Sequence, residues 1–315
     1  MKLVLFNDHV PGLLKGDDVI DISSIVPRGR DGQATMQGLI EHFDELRPRL
    51  GQALATGGGV PLSSVTLRAP LPQPGKIVAM GANYLENVPN GTPVPILVFL
   101  KSPAGVMDPG GTCTLPPIDF VICHHEAELV LVLGKRGKDV PAANWKDYVF
   151  GYTCGVDVSA RGQYGGYRFM GKSFDGFSPL GPCVVTKDEI PDPQHLRVRF
   201  WVDGQPRHDF NTDDMAYKIP RCIEYCSSIM TLVPGDVLFT GTNHQGIGPL
   251  QDGETAEIEI ERIGRFSFKV SDPLKRSWPK EIDKGMAKFV REQIEKKSAF
   301  GATIDYQKVV GGGRG

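Results

Sequence analysis

Two glutamates with one residue between them, Glu126 and Glu128, introduce the apolar run LVLVL in this chain of 315 residues. Side chains two positions apart on a strand project from the same face, so the two carboxylates would lie side by side. A buried pair of like charges is unfavourable unless a cation compensates it. Ligation by oxygen alone suits Mg²⁺, Mn²⁺ or Ca²⁺ better than zinc. The pair therefore indicates a divalent-metal site; the alternative, a solvated strand face, fits less well with the apolar residues that follow.

A third carboxylate and two cations follow further along the chain. Asp157 ends the apolar run YVFGYTCGV, where it can complete the metal ligands or act as a turn or helix-capping aspartate. Arg161 and Lys172 lie in a glycine-rich stretch and can hold the anionic end of a substrate, although each can equally be an ordinary surface charge. The triplet Gly171-Lys172-Ser173 lacks the preceding glycine of a phosphate loop, which argues against nucleotide binding.

These residues need a scaffold, and the part of the chain between residues 75 and 271 has the pattern of a strand-rich one. Segments with β-branched and aromatic residues and terminal turn residues recur there, namely KIVAMG, PILVFLK, ELVLVLGK, DYVFGYTCGVDVS, LRVRFWVDG, DVLFTG and AEIEIERIG. Helical patterns are scarcer, and one helix is predicted from Pro220 to about Met230. Asp203-Gly204 is typical of a hairpin turn. The predicted fold class is α+β, predominantly β.

The two ends of the chain differ from this central part. Residues 1–70 combine short apolar runs with a predicted helix near 35–54, and a stretch rich in glycine and proline follows them. We predict a central domain over 71–271. Residues 272–315 have the pattern of an extension with one amphipathic helix, whose apolar stripe is formed by Ile282, Met286, Phe289, Val290 and Ile294. This stripe is expected to pack on its own chain; packing on a second subunit or a free tail is the alternative.

The composition argues against several classes of protein. The formal net charge of −2 leaves no basic field for nucleic-acid binding, and no apolar segment approaches the length of about 18 residues that a membrane helix needs. The N-terminal apolar run is too short for a secretory signal and predicts a first strand instead. The six cysteines form no C-x-x-C pair and no zinc set, which favours buried free thiols and a cytoplasmic protein.

Five short motifs, in this order along the chain, resemble the fumarylacetoacetate hydrolase family, and in particular its acylpyruvate hydrolase and 2-hydroxyhepta-2,4-diene-1,7-dioate isomerase members. The motifs are Glu126-x-Glu128, Asp157-Val-Ser-Ala-Arg161, Gly171-Lys172-Ser173-Phe174-Asp175, Asn211-Thr212-x-x-Met215, and Pro234-Gly235-Asp236 through Thr240-Gly241-Thr242. The resemblance implies a mixed β-sheet roll with a small N-terminal α/β segment, a catalytic domain over 71–271, and a homodimer.

The resemblance also assigns roles to single residues. It implies a Mg²⁺ ion, or Mn²⁺ or Ca²⁺, held by Glu126, Glu128 and Asp157. It places Lys172 on the substrate near the metal. The other implied substrate contacts are Arg161, Tyr164 and Thr242, the last of which would bind a carboxylate or oxygen of the substrate.

One motif of the family is altered in this sequence. Many members carry N-Y-x-x-H-x-x-E after the first core strand, where the His, oriented by the Glu, activates water or moves protons. Here Asn87 and Asn90 stand at those two positions, and Asn cannot act as a general base near neutral pH. Tyr164 stands where the family often has Gln, three residues after Arg161.

Three histidines and Lys172 are candidate replacements for the missing base. His124 shares a strand face with the glutamate pair by alternation, His208 lies in a predicted loop, and His244 follows the Thr-Gly-Thr turn. Each of them can instead be a hydrogen-bonded or surface histidine without a chemical role. Lys172 would act only if burial lowered its pKa.

The resemblance implies a divalent-metal-dependent hydrolase that cleaves a C–C bond of an enolisable 2-oxo or β-diketo acid, such as fumarylacetoacetate or an acylpyruvate, through a metal-chelated enolate. Because Asn87 and Asn90 replace the His/Glu pair, a decarboxylase, isomerase or tautomerase acting on the same substrates is the alternative. Such reactions belong to aromatic catabolism. A non-catalytic scaffold is a second alternative, disfavoured because a scaffold needs neither the carboxylates nor the cations near them.

Overall fold

Strands dominate the computed structural model, which describes residues 1–119, 121–162 and 168–295. The strands are β1 (Lys2–Phe6), β2 (Val10–Lys15), β3 (Asp18–Asp21), β4 (Val60–Pro61), β5 (Leu67–Arg68), β6 (Ile77–Gly81), β7 (Leu97–Lys101), β8 (Val106–Met107), β9 (Thr112–Thr114), β10 (Cys123–His124), β11 (Ala127–Leu133), β12 (Val149–Val156), β13 (Ser159–Ala160), β14 (Ser178–Thr186), β15 (Arg197–Val202), β16 (Gln205–Asn211), β17 (Val237–Phe239), β18 (Thr255–Ile260) and β19 (Gly264–Ser271). The α-helices in these ranges are α1 (Gly32–Glu41), α2 (Phe43–Thr56), α3 (Trp145–Tyr148), α4 (Arg168–Lys172), α5 (Ile219–Ile229) and α6 (Lys284–Glu295). The predicted α+β, mainly β class is confirmed.

A 12-stranded mixed sheet runs in the order β4-β3-β2-β1-β14-β12-β11-β17-β6-β7, with β5 beside β1 and β8 beside β14. Strand β11 lies between β12 and β17, and all its residues are buried, as its continuous apolar run predicts. Its side chains alternate between two cores: Leu129 and Leu131 belong to one, and Val130 and Val132 to the other. The sheet is therefore covered on both faces where it carries the glutamate pair.

Different layers cover these two faces. A five-stranded sheet, β16-β15-β18-β19-β9, packs against the face of Leu129, where Val198, Phe200 and Ile258 share the core. Helices α1 and α2 cover the other face, and their apolar side chains form a core with Val130. The predicted hairpin at Asp203-Gly204 is confirmed, since β15 and β16 pair in antiparallel fashion across it.

The predicted helix near 35–54 is two helices, α1 and α2, separated at His42. The backbone of His42 leaves the helical region, with φ −107° and ψ 16°, and this bend lets both helices bury apolar side chains on the sheet. Helix α5 begins one residue before Pro220 and ends one residue before Met230, close to its predicted bounds. Proline is tolerated in the first turn because its missing N–H has no helical partner there.

The two terminal segments are attached to the central part in different ways. Strands β1 to β5 of the N-terminal segment join the 12-stranded sheet through the pairing of β1 with β14. Helix α6 packs on its own chain, as predicted, and Val290 and Ile294 of its stripe are buried whereas Phe289 is exposed. All six cysteines are buried and unpaired, as predicted. Among the described residues no helix has the length and hydropathy to span a membrane.

Candidate functional site

The three carboxylates assigned to a metal converge where β11 and β12 pair. Glu126 immediately precedes β11, Glu128 lies inside it, and Asp157 immediately follows β12. The antiparallel register sets Glu128 opposite Gly155, and the N–H of Asp157 donates to the carbonyl of Glu126 at 2.8 Å. All three carboxylates are buried, and one oxygen from each lies within 4.8 Å of the others. Strand pairing thus assembles the predicted ligand set.

Three cations surround this acidic cluster. Lys172 Nζ lies 2.9 Å from Glu126 Oε2 and 2.7 Å from Asp157 Oδ2. The Arg161 guanidinium donates to Glu126 Oε1. Lys101, which no sequence motif had indicated, is fully buried and donates to Asp157 Oδ1 at 2.6 Å. Two of the carboxylates are therefore paired with cations in the described structure.

Glu128 differs from its neighbours because none of these cations forms an ion pair with it in the described residues. Its Oε2 accepts a hydrogen bond from the N–H of Gly241 at 2.5 Å, and its Oε1 is buried without a hydrogen-bond partner among the described residues. Burial raises the pKa of Glu128 well above its usual range, and the charges of Asp157 and Glu126 raise it further. A cation bound beside Glu128 would therefore stabilise the charged form of its carboxylate.

Glu126 and Lys172 are held in their charged forms. Burial raises the pKa of Glu126, but Lys172 and Arg161 outweigh it and hold the pKa well below its usual range. Burial lowers the pKa of Lys172, but Asp157 and Glu126 outweigh it, so that this pKa is raised. With Glu126 and Asp157 free of a metal ion, the pKa of Lys172 is therefore not lowered as a role as base would need. In this form the ammonium of Lys172 is suited to binding a negatively charged group.

The residues fit a hard divalent cation. The donors are three buried carboxylates, the ligand type that Mg²⁺ and Mn²⁺ prefer, and Glu128 Oε1 is an acceptor without a partner in the described part of the chain. The Thr242 hydroxyl, on the loop after β17, is also buried without a hydrogen-bond partner there. Both unpaired atoms therefore suit a site that binds an ion and a ligand.

A glycine sets the direction of the loop that carries Thr242. Gly241 has a φ of +90°, a conformation that residues with a side chain rarely adopt. A Cβ atom there would lie 3.0 Å from the Cβ of Asn83. The loop can therefore turn tightly enough to direct the Gly241 N–H at Glu128.

His244 is paired with Glu86, a residue that no sequence motif had indicated as part of the site. Glu86 is fully buried, its Oε1 lies 2.8 Å from His244 Nδ1, and its Oε2 accepts the backbone N–H of His244 at 2.8 Å. The side-chain amide of Gln245 donates to the same Oε2 at 2.9 Å. Glu86 has a φ of +56°, which is uncommon for a residue with a side chain and is held by these bonds. Asn87 and Asn90, the positions of the altered motif, are exposed.

His124 is in a different environment. Its Nδ1 accepts a hydrogen bond from Arg161 Nε at 3.3 Å, and its Nε2 lies 3.2 Å from Asp283 Oδ2 outside hydrogen-bonding geometry. Burial and the nearby Arg161 lower the pKa of His124 to about 4, although Asp283 opposes this shift. His124 therefore stands beside the cluster as a neutral ring.

The remaining predicted residues are placed as follows. His208 lies on β16 rather than in a loop, because residues 205–211 pair with β15. It is buried with its Nε2 3.1 Å from His125 Nδ1, and its own Nδ1 lies 3.1 Å from the carbonyl of Asn243. Tyr164 lies outside the described residues. Ser159, which sequence reasoning missed, donates to Glu126 Oε1 at 3.1 Å.

A cavity of about 80 Å³ opens beside the carboxylates and is lined by polar groups on one part of its wall and apolar groups on the other. The polar groups belong to Glu126, Arg161, Arg168, Lys172 and His244. The apolar wall includes residues of β6, β7 and α6. A larger depression of about 530 Å³ lies near the start of α1 and contains none of the candidate groups. The described wall of the cavity is thus partly charged and partly apolar.

Comparison with known proteins agrees with this geometry. Residues 76–271 match the family model described as fumarylacetoacetate (FAA) hydrolase C-terminal. The chain is 33% identical to maleylpyruvate hydrolase of Aquipseudomonas alcaligenes over 86% of this chain and 99% of that protein. It is 36% identical to the mitochondrial oxaloacetate tautomerase FAHD2A of Bos taurus over 81% of this chain and 84% of that protein.

A solved structure shows the same similarity in three dimensions. It is that of maleylpyruvate hydrolase from Sphingobium sp. SYK-6 in complex with manganese(II) ion and pyruvate. The TM-score is 0.78 at 34% sequence identity, and the match covers 86% of this chain and 99% of that chain.

Proposed function

The chain belongs to the fumarylacetoacetate hydrolase family and is an enzyme, and from this premise we propose that it hydrolyses a C–C bond of an enolisable 2-oxo or β-diketo acid of the acylpyruvate type. The observation that carries the proposal is the buried carboxylate cluster, in which Glu128 Oε1 has no partner among the described residues, next to Arg161 and Lys172. Such a cluster suits a cation together with an anionic substrate.

Glu126, Glu128 and Asp157 would hold the ion, and we propose Mg²⁺ or Mn²⁺. When bound, a cation of this kind polarises the oxygens of a 2-oxo acid and stabilises the negative charge that develops on them. The related Sphingobium enzyme, solved in complex with manganese(II) ion and pyruvate, supports this class of metal and substrate. The same oxygen donors would also suit Ca²⁺.

The cations and hydroxyl of the chain are proposed to bind and orient the substrate. Arg161 and Lys172 line the cavity and supply positive charge for a carboxylate, and the pKa of Lys172 is raised, so its ammonium persists at neutral pH. The Thr242 hydroxyl, buried without a partner in the described structure, is available to a substrate oxygen. Tyr164 remains a predicted substrate contact.

We propose that His244 moves the proton. Glu86 accepts from Nδ1 of His244, which leaves Nε2 as the nitrogen that can take a proton from water or from the substrate. His244 lines the cavity together with Glu126 and Lys172. His124, the other candidate, is not among the described residues that line the cavity, and its Nδ1 accepts a hydrogen bond from Arg161 Nε. The pair of Glu86 and His244 thus provides the general base that Asn87 and Asn90 cannot provide.

This pair favours hydrolysis over the alternative. The case for a decarboxylase, isomerase or tautomerase rested on the absence of a base that could activate water, and His244 with its buried acid is such a base. Tautomerisation of a 2-oxo acid remains the second candidate, because the chain is 36% identical to an oxaloacetate tautomerase. Proton transfer by His244 would serve either reaction.

We also propose a homodimer. Three large apolar side chains are exposed near one edge of the 12-stranded sheet: Leu100 on the edge strand β7, and Phe169 and Met170 on α4, which packs against β7. An exposed apolar patch of this kind is typical of a protein–protein contact. Sedimentation velocity of the wild type and of a Phe169→Ser variant tests this: a dimer that the variant weakens supports the proposal, and a monomeric wild type contradicts it.

A panel of substrates with identified products tests the proposed reaction. Acylpyruvates, oxaloacetate and ring-fission diketo acids are incubated with the enzyme and Mn²⁺ or Mg²⁺, and the products are separated. Release of pyruvate and a second acid from an acylpyruvate supports hydrolysis. Metal-dependent interconversion of oxaloacetate tautomers without cleavage of any acylpyruvate supports the second candidate instead.

A further inference from the structure

Helix α6 lies beyond the part of the chain that defines the family. The family match ends at residue 271, and α6 spans Lys284–Glu295. Two of its residues, Met286 and Val290, nevertheless line the cavity that holds Glu126 and Lys172. A segment outside the family match therefore forms part of the candidate site.

One end of α6 is fixed to the loop that carries His244. Asp283 Oδ1 accepts the N–H of Met286 at 2.9 Å and so caps the helix, and the N–H of Asp283 donates to the carbonyl of Ile247 at 2.8 Å. Gln245, which also binds Glu86, donates its side-chain amide to the carbonyl of Ala287 at 3.2 Å. The start of the helix is thus tied to the proton-transfer pair.

The other end of α6 is fixed to the connection between β6 and β7. Val290 and Ile294 are 2% and 1% exposed, so this face of the helix is fully packed. A Cβ on Gly91 would lie 2.8 Å from Ile294 Cγ2, so the helix approaches that connection closely, and glycine leaves room for it. Because both ends of α6 are held by contacts with the rest of the chain, the helix forms a fixed part of the cavity wall.

We propose that Met286 and Val290 determine specificity by contacting the tail of the substrate, whose 2-oxo acid end is held at the carboxylates. This inference rests on the proposed function. Leu97 and Phe99 of β7 line the same cavity as Met286 and Val290, so an uncharged tail meets apolar side chains of both elements. The cavity of about 80 Å³ leaves room for a short tail only. Substrates with short apolar tails are therefore preferred.

Binding of non-cleavable 2-oxo acids tests the inference without requiring turnover. Dissociation constants for oxalate, pyruvate and 2-oxohexanoate are measured by calorimetry on the full chain with saturating Mn²⁺. Oxalate has no tail and reports the head site alone. The variants are Met286→Ala and Val290→Ala, which widen the cavity, and Met286→Trp, which fills it. Lys288→Ala is the matched control, because Lys288 lies on the exposed side of the same helix.

The wild type is expected to bind pyruvate more tightly than 2-oxohexanoate. Met286→Ala and Val290→Ala raise the affinity for 2-oxohexanoate relative to pyruvate by about tenfold, since an extra methylene in an apolar pocket discriminates by about that factor. Met286→Trp shifts the ratio in the opposite direction. Oxalate affinity stays within about twofold in all variants, and Lys288→Ala behaves as the wild type.

Results that contradict these expectations show whether the role of α6 or the proposed function itself is wrong. If oxalate binds with Mn²⁺ but the preference for tail length is the same in every variant, α6 has no role in specificity and the proposed function stands. Loss of oxalate affinity in Met286→Ala and Val290→Ala likewise overturns the inference, because α6 would then only support the fold of the site. If oxalate binds to no protein, the wild type included, the proposed function fails and the inference fails with it.

Discussion

His244 Nδ1 lies 2.8 Å from Glu86 Oε1, although the two residues are 158 positions apart in the sequence. The carboxylate of Glu86 is fully buried and accepts from both the ring and the backbone of His244. A buried acid that orients a histidine is the arrangement by which enzymes fix the tautomer of a general base. The chain thus contains a His–Glu pair, but not at the positions where its family commonly carries one.

Replacing His244 tests the role of this pair. His244→Ala is expected to lower turnover by about a hundredfold to ten-thousandfold, the range of general acid–base catalysis, while Mn²⁺ and oxalate still bind. Glu86→Gln should also lower kcat and leave KM nearly unchanged, because glutamine no longer fixes the Nδ1–H tautomer of His244. Steady-state kinetics on a cleaved acylpyruvate measures both.

Asn87→Ala and His124→Ala are the controls for that experiment. Asn87 is exposed, and Nδ1 of His124 already accepts a hydrogen bond from Arg161, so neither change should approach the loss seen for His244→Ala. A larger loss of turnover in His124→Ala than in His244→Ala would reassign the base to His124, the residue that strand alternation selects.

Replacing Lys101 is expected to change the thermal stability of the metal-free protein. The ammonium of Lys101 is fully buried and contacts Asp157 Oδ1 at 2.6 Å and the carbonyl of Phe177 at 2.7 Å. Breaking a buried pair by removing one partner costs about 3–5 kcal/mol, so Lys101→Met should lower the Tm of the metal-free protein. Because the cluster becomes more negative, Mn²⁺ should raise the Tm of this variant more than that of the wild type.

Lys76→Met is the matched control for Lys101→Met. Lys76 Nζ pairs with the buried Asp236 at 2.7 Å, and Asp236 is not one of the proposed metal ligands. Its removal should destabilise the protein without changing the increment that Mn²⁺ adds. Equal Mn²⁺ increments in all three proteins, measured by scanning fluorimetry, would disprove an electrostatic link between Lys101 and the ion.

The buried histidines give a prediction about acid stability. Burial lowers the pKa of His208 to about 4, against about 6.5 in the unfolded chain. The neutral ring is favoured in the folded state, so the stabilisation is complete above about pH 6.5 and is lost as the pH falls towards 4. The wild type should lose about 1–2 kcal/mol more free energy of unfolding than His208→Gln between about pH 7 and pH 5.

His195→Gln is the control for the acid prediction. The His195 side chain is 65% exposed and pairs with Asp192 at the surface, where an ion pair contributes little, so its replacement should alter the pH dependence of urea unfolding far less than His208→Gln does. The same pH dependence in His208→Gln and the wild type would mean that His208 does not charge on unfolding in this range.

Local patterns in the sequence were enough to predict the two central strands and the cluster of three carboxylates that they form. A buried strand with both carboxylates on one face is predicted by the i, i+2 spacing of Glu126 and Glu128 and by the apolar run after them. The apolar run before Asp157 predicts the strand that pairs with it. The pairing of these two strands brings the three residues together. Each of these steps depends on neighbours in sequence.

The residues that the sequence did not reveal come from distant segments. Lys101 reaches Asp157 across 56 positions, and Glu86 reaches His244 across 158. No periodicity encodes these contacts, because each joins separate elements: Lys101 of β7 reaches the residue after β12, and the β6–β7 connection meets the loop after β17. Glu86 and Asn87 both take a left-handed backbone conformation, yet Glu86 is buried whereas Asn87 is exposed. Only tertiary structure distinguishes these two adjacent side chains.

Titration of Mn²⁺ into the apoprotein by calorimetry tests the central claim most directly, with Glu128→Ala and Glu254→Ala compared to the wild type. Glu254 is another buried glutamate, outside the carboxylate cluster. The wild type and Glu254→Ala should bind Mn²⁺ in competition with Mg²⁺, and Glu128→Ala should lose more than about a hundredfold in affinity while remaining folded. Mn²⁺ affinity in Glu128→Ala equal to that of the wild type would contradict the assignment of the metal site, and with it the proposed chemistry.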